Sequence, residues 1–274
     1  MIAEAGDGGS TRLGSGKHAT FVGPSGSVSL VPDPSTGSDE APNRVLSGFL
    51  SAASADGTGA TGSDGVSAQA RNSVYGVETF APVTLPPFFP NQLGGMFVSH
   101  TRGVPTQVTT ISAYNKANNP DGQPFDSNPY AVLVTGEGTE LVADAAANDI
   151  LSVNNGTPSL FHVFPNITTG KCAKKSAPNP SFPGCNFVPT APARNHAGDV
   201  FVTGLGSEVP GAGEVVELDP TATNVLQTWT SFSGPRRHGC RPCRRHLCQS
   251  AGSAGGQSNL PSDLRGGHRD PDVR

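Results

Sequence analysis

The segment Asp126–Val153, DSNPYAVLVTGEGTELVADAAANDILSV, decides the fold. Pro129–Thr135 is apolar and β-branched and reads as a strand. Gly136–Thr139 is a turn whose two glycines can supply positive φ. Leu141–Ala143 is a second strand that ends on Asp144. Asn148–Asp149 forms a tight turn, and Ile150–Val153 starts a third strand. Short strands joined by tight turns, with no helix between them, indicate an antiparallel meander. A lone meander cannot bury its apolar face, so copies are expected elsewhere in the chain.

Copies do occur. Upstream, Asp64–Val77 (DGVSAQARNSVYGV) has the same outline, and Gly95–Ser99 with Gln107–Ser112 makes a further strand pair. Downstream, Val188–Gly204 (VPTAPARNHAGDVFVTG) repeats the pattern and Gly213–Asp219 supplies the next strand. Near the N-terminus, Ile2–Glu4 (IAE) matches Val142–Asp144, and Gly26–Val31 matches Asp149–Val153. On this reading the chain starts in mid-unit, inside a longer gene, and Gly6–Gly62 is mostly loop around Val28–Val31 and Arg44–Phe49. The period is uneven and roughly 60 residues, and repeated four-stranded meanders point to a β-propeller. The expected fold is therefore all-β: an incomplete β-propeller of four-stranded antiparallel blades, with about three to four blades against the four or more of a closed ring. Tyr114–Asn119 reads as a short helical turn ahead of the loop NNPDG.

The run Ser112–Asp126 (SAYNKANNPDGQPFD), followed by SNPY and VADAAAND, resembles the scytonemin-cluster ScyD/ScyE family of secreted β-propellers with NHL-like repeats. Glu4–Gly9, Gly23–Val28 and Asp56–Gly62 fit the same pattern, so the resemblance spans about residues 2–235. The pairing of NNPDG with DSNPY is its most specific part. The resemblance implies a propeller and an extracellular or periplasmic location. It carries no agreed catalytic residues.

Composition agrees with an all-β protein rich in loops: the 274 residues include 35 Gly and 25 Pro, with 15% charged side chains. A net charge of −4 gives no reason to expect nucleic-acid binding. No apolar run is long enough to span a bilayer as a helix. The N-terminus carries no signal-peptide pattern. Lys17 and His18 lie in GSGKHAT, which lacks the glycine spacing of a phosphate loop. Phe88 and Phe89 in LPPFFP are expected to pack a blade edge. Cys172 and Cys185 bracket an insertion; in a secreted propeller they would clip a long loop, and two free thiols are the cytosolic alternative. Asn155 and Asn166 satisfy the glycosylation sequon.

After residue 235 the pattern stops. Residues 236–274 hold 8 of the 18 basic residues, all Arg, and 3 of the 22 acidic ones, which leaves residues 1–235 with a net charge of −9. This Arg-rich tail is expected to be disordered. Cys240, Cys243, His246 and Cys248 could be taken for zinc ligands, but the second pair is too close to the first for a comfortable tetrahedron. Reading the commonest codons for residues 236–250 one base forward yields TGVAxADGTFVS, the entry to another blade, so the tail is expected to be out of frame.

Polar residues at the ends of inner strands are the natural ligand-binding candidates of a propeller. These are Asn128, Asp144, Glu4 and Asp64, four oxygen donors that could converge on an axial Ca²⁺. The set loosely resembles gluconolactonase-type propellers, where a central metal polarises a lactone. The structural alternative is that Asp and Asn cap turns through backbone hydrogen bonds. The first functional expectation is thus a non-catalytic extracellular binding or scaffold propeller for a small molecule or protein, with no certain cofactor. A Ca²⁺-dependent hydrolase and a truncated, non-functional fragment are the alternatives.

Overall fold

The computed structural model describes residues 1–16, 19–31, 41–69, 73–79, 85–100, 105–135, 139–175 and 182–233. All belong to one compact unit, Met1–Gly234. The expectations for Lys17, His18 and the tail, including Cys240, Cys243, His246 and Cys248, lie outside the described residues.

Sixteen strands form four four-stranded antiparallel sheets, as the meander pattern predicts. The third sheet contains the deciding segment: β9 (Pro129–Val134), β10 (Thr139–Asp144), β11 (Asp149–Asn154) and β12 (Thr157–Val163), paired in chain order. The second is β5 (Ser63–Gln69), β6 (Ser73–Glu78), β7 (Gly95–Ser99) and β8 (Thr106–Thr110). The fourth is β13 (Pro189–Arg194), β14 (Val200–Gly204), β15 (Gly213–Leu218) and β16 (Val225–Phe232). The helix α1 (Ile111–Asn118) follows β8 and ends on Asn119 in the left-handed conformation, φ 44°.

The first sheet departs from the expected pattern. β1 (Ile2–Glu4) and β2 (Thr11–Leu13) lie end to end along one edge of β3 (Thr20–Leu30), and β4 (Asn43–Ala53) pairs with the other edge. Ile2–Glu4 is therefore an edge strand and not the counterpart of Val142–Asp144, which is interior to its sheet. β3 and β4 are each 11 residues long, where the sequence reads mainly as loop. The reason is composition. Ser27, Ser29 and Ser51 are buried in these strands, so small polar residues occupy core positions and hide the apolar alternation.

Successive sheets pack face to face, as propeller blades do. Alternation along β10 sends Leu141 and Ala143 to one face and Val142 to the other. Leu141, Ala143 and Ile150 pack with Val200, Val202, Val216 and Leu218 of the fourth sheet. Val142, Leu151 and Val153 pack with Val77 and Met96 of the second. Val28, Leu46 and Phe49 of the first meet Val66, Val74 and Phe97 of the second, with Phe49 edge-on to Phe97 at 5.5 Å. The first strands of successive sheets touch in series: β5 lies on β1, β9 on β5, and β13 on β9. The approach is close. A Cβ added at Gly65 of β5 would sit 2.6 Å from the Ala131 Cα of β9. The far face of the fourth sheet is half-open, with Phe201 stacked on Trp229 at 6.0 Å.

Because the third sheet is buried on both faces, its centre carries the stability. Ile150→Ala should destabilise by about 2–5 kcal/mol. Leu160→Ala, at a side chain 42% exposed on β12, should stay within about 0.5 kcal/mol. Urea denaturation of the two variants checks the contrast.

Candidate functional site

In each meander the first strand starts, the second ends and the third starts at the same end of the sheet. At that end of the third sheet, Asp144 closes β10 and Asp149 opens β11, directly opposite each other in register. Asp144 is fully buried and accepts five hydrogen bonds. Oδ1 accepts from the backbone N–H groups of Asn128 (2.6 Å), Ala146 (3.3 Å) and Ala147 (3.1 Å). Oδ2 accepts from Ser127 Oγ (2.5 Å) and Asn115 Nδ2 (2.9 Å). Burial raises its pKa and these donors oppose the shift. The carboxylate thereby ties together the β10–β11 turn, the SNPY entry to β9 and helix α1.

The NNPDG loop joins this end of the third sheet to the fourth. Asp121 Oδ2 accepts from Asn148 Nδ2 (3.1 Å), and Asn148 Oδ1 accepts from the Val188 N–H (3.1 Å) at the entry to β13. Asn148 holds φ 55°, a conformation Asn tolerates better than most residues. Gln123 Nε2 reaches Asn166 Oδ1 (3.4 Å) and Asn186 Oδ1 (3.3 Å). Asp121 and Asn148 thus link the NNPDG loop and the third sheet to the entry of the fourth.

Asp149 and Glu78 are the polar residues that sequence reasoning missed. Both are fully buried, and neither carboxylate has a hydrogen-bond partner among the described residues. Burial first, and the Asp144 charge second, push Asp149 up to about 9, against the opposing influence of the nearby Asn115 amide. Burial first, then the charge of Asp64, push Glu78 up to about 9. Glu78 ends β6 opposite Ser63, whose Oγ is also unpaired, so it occupies in the second sheet the place of Asp144 in the third. For Glu78 the signal available in the sequence was an acidic residue ending an apolar strand, VYGVE; Asp149, at the start of β11, carries no such signal.

The four candidate ligands are bonded to different partners. Asn128 and Asp144 come together, but both Asp144 oxygens are already saturated by donors. Asp64 belongs to the second sheet and accepts from Thr79 Oγ1; burial raises its pKa. Glu4, on the first sheet, accepts from Ser29, from Ser27 (3.1 Å) and from Arg44 (3.1 Å); the Ser29 bond leads in lowering its pKa. Among the described residues no three His, Cys, Asp or Glu are grouped to hold a metal ion. Comparable strand ends in successive sheets carry different partners: Glu4 and Asp64 are held within their own sheets, Asp144 also by α1.

Cys172 and Cys185 are joined in a disulfide, with Cα atoms 5.4 Å apart and both residues fully buried. The bond closes the insertion beside Ile167, whose N–H and C=O pair with Cys185. Phe89 packs beside Leu93, while Phe88 is 71% exposed. Two open clefts of about 470 Å³ flank the sheets. One is polar, lined by Glu4, Asp7, Ser25, Ser27 and Arg44. The other lies beside α1, lined by Leu85, Pro86, Phe89, Leu93 and Phe125 together with Asn91 and Lys116. No helix among the described residues is long and apolar enough to cross a membrane.

No protein-family model matches the chain, and no curated protein matches it by sequence. Solved structures similar to it include a streptogramin B lyase, at 13% identity and TM-score 0.38 over 64% of this chain and 42% of that one. A catalytically inactive virginiamycin B lyase from Staphylococcus aureus, crystallised with quinupristin, is similar at 11% identity and TM-score 0.36, over 65% and 43%. A luciferin-regenerating enzyme is similar at 13% and 0.36, over 68% and 54%. The chain spans 42% to 54% of the length of these three structures.

Two outcomes are expected at this end of the sheets. Asp144→Ala removes an acceptor from five donors, and denaturation should show a loss of at least about 3 kcal/mol. Glu78 gives a pH dependence. Folded, it keeps its proton to about 9; unfolded, it releases it near pH 4, an ordinary carboxyl value. The folded state therefore binds the extra proton between these limits, and stability falls as pH rises through that window. Glu78→Gln should flatten the decline in thermal midpoint between about pH 5 and about pH 9. An unchanged slope would exclude Glu78 as its source.

Proposed function

We propose that this chain acts as a non-catalytic binding propeller of the ScyD/ScyE type in an extracellular or periplasmic compartment. The observation that carries the reading is the bonding of Asp144. The carboxylate best placed for chemistry accepts five hydrogen bonds, is closed off from solvent, and works as a structural clamp. General acid–base catalysis needs a titratable group within reach of a substrate proton, and this one has no free face. The Cys172–Cys185 disulfide supports the compartment, because such bonds persist where the surroundings are oxidising.

The cleft beside α1 is the binding surface that fits this reading. Proline, leucine and phenylalanine side chains share its walls with Asn91, Thr110 and Ser112, and its charged group is the Lys116 ammonium. That chemistry suits a small apolar molecule bearing an acidic group. Anilinonaphthalene sulfonate is a suitable probe. Its fluorescence should rise on addition of the folded protein and fall sharply with Lys116→Glu and with Phe89→Ser, circular dichroism being unchanged. Unaltered binding by both variants would remove the cleft from consideration. Lactone turnover above background that is lost in a folded Asp144→Asn variant would replace the binding role with a hydrolytic one.

A further inference from the structure

Four buried oxygens at the end of the third sheet have no partner among the described residues: Asn115 Oδ1, Asn128 Oδ1, and Oδ1 and Oδ2 of Asp149. They belong to three residues tied to Asp144, two by hydrogen bonds and one by strand register. Asn115 donates its amide N–H to Asp144 Oδ2 at 2.9 Å. Asn128 donates its backbone N–H to Asp144 Oδ1 at 2.6 Å. Asp149 is the cross-strand partner of Asp144 in register, so the two side chains leave the same face of the sheet. Asp149 is fully buried and Asn115 is 1% exposed.

Such a concentration is unusual. Buried polar atoms are almost always hydrogen-bonded, and an unsatisfied one costs about 1–3 kcal/mol, more if charged. Asn115 directs its amide N–H to Asp144 Oδ2, and Ser127 donates its hydroxyl to the same oxygen. Among the described residues the ion pair present is Arg44 with Glu4, on the first sheet. The corner therefore holds two carboxylates opposite each other, a further acid in Asp121, and no basic side chain paired with them among the described residues.

We propose that this corner is a buried site for a hard divalent cation, with the Asp149 carboxylate, Asn115 Oδ1 and Asn128 Oδ1 as its protein ligands. The donors are all oxygen, which selects a hard ion over zinc or copper. One carboxylate able to bind through both oxygens, plus two amide carbonyls on a helix and a loop, suits calcium, which accepts irregular shells of six to eight oxygens. Asp144 contributes no ligand. It orients Asn115 and the Asn128 backbone and adds negative charge behind them. The ligand set contains one carboxylate and two amides, and of the Asn128, Asp144, Glu4 and Asp64 set that the sequence pattern implied it keeps only Asn128. The role is structural: the ion would join α1, the entry to β9 and the start of β11. The proposal is independent of the cleft beside α1.

The test uses the purified chain after treatment with EDTA. Calorimetric titration with CaCl₂ should show about one ion per chain, and the thermal midpoint should rise with Ca²⁺. Asp149→Asn and Asn128→Ala should weaken Ca²⁺ binding by at least about tenfold and abolish the rise in midpoint. Both should keep the parent's circular dichroism. Glu78→Gln, at the other unpaired buried carboxylate, should bind Ca²⁺ like the parent. Two results would overturn the proposal. One is absence of stoichiometric binding by the parent together with Asp149→Asn at least as stable, which identifies Asp149 as a buried neutral acid. The other is binding that persists in Asp149→Asn and Asn128→Ala, which places the ion elsewhere.

Discussion

The structure depends on face-to-face burial of four-stranded sheets. A single sheet of this size cannot hide its apolar residues, because alternation sends half of them to each side. The third sheet shows the solution at its most complete. Leu141 and Ile150 are covered by the fourth sheet, Val142 and Leu151 by the second, and each is at most 3% exposed. Everything functional is placed by that stacking. It brings the first strands into series, aligns the strand ends on one side, and leaves loops and α1 to be fastened over them.

Fastening is done by polar side chains. Asp144 holds three segments through five hydrogen bonds, and Asn148 links the NNPDG loop to the fourth sheet. The second sheet uses the same strand-end position differently. Glu78 stands where Asp144 stands, yet it collects no donors among the described residues and is pushed up to about 9. The contrast comes from where the neighbouring donors point. The chain leaves the second sheet through α1, and Asn115 of that helix is supplied to the next blade rather than to Glu78. A repeat can thus keep an acid in place while its role changes from clamp to protonated core group.

This division explains how far the site was legible. Asn128 and Asp144 were recognisable because an acid or amide ending an apolar strand is a local signal. Glu4 and Asp64 looked equivalent for the same reason, but their neighbours are Ser29 and Arg44 in one case and Thr79 in the other. Asp149 reads as a turn residue because Asn-Asp is a common turn pair. Its isolation is a property of burial, which the sequence does not display. The first sheet was hidden because serines and glycines fill its core positions, so the usual apolar contrast is missing.

The sequence by itself determined the fold class: alternation of period two, interrupted by glycine and asparagine turns, admits antiparallel meanders, and meanders of this size must stack. It also placed the acids at strand ends, since strand boundaries are set by turn chemistry. Only the tertiary structure decided which acids are bonded and which are left unpaired. That outcome hinges on donors brought from far along the chain: Asn115 reaches Asp144 across 29 residues, and Asn148 meets Val188 across 40. It also brought Cys172 and Cys185 within bonding distance. Hydrogen bonds between distant segments and the loss of solvent around a carboxylate arise only when sheets close on one another, and no local pattern records them.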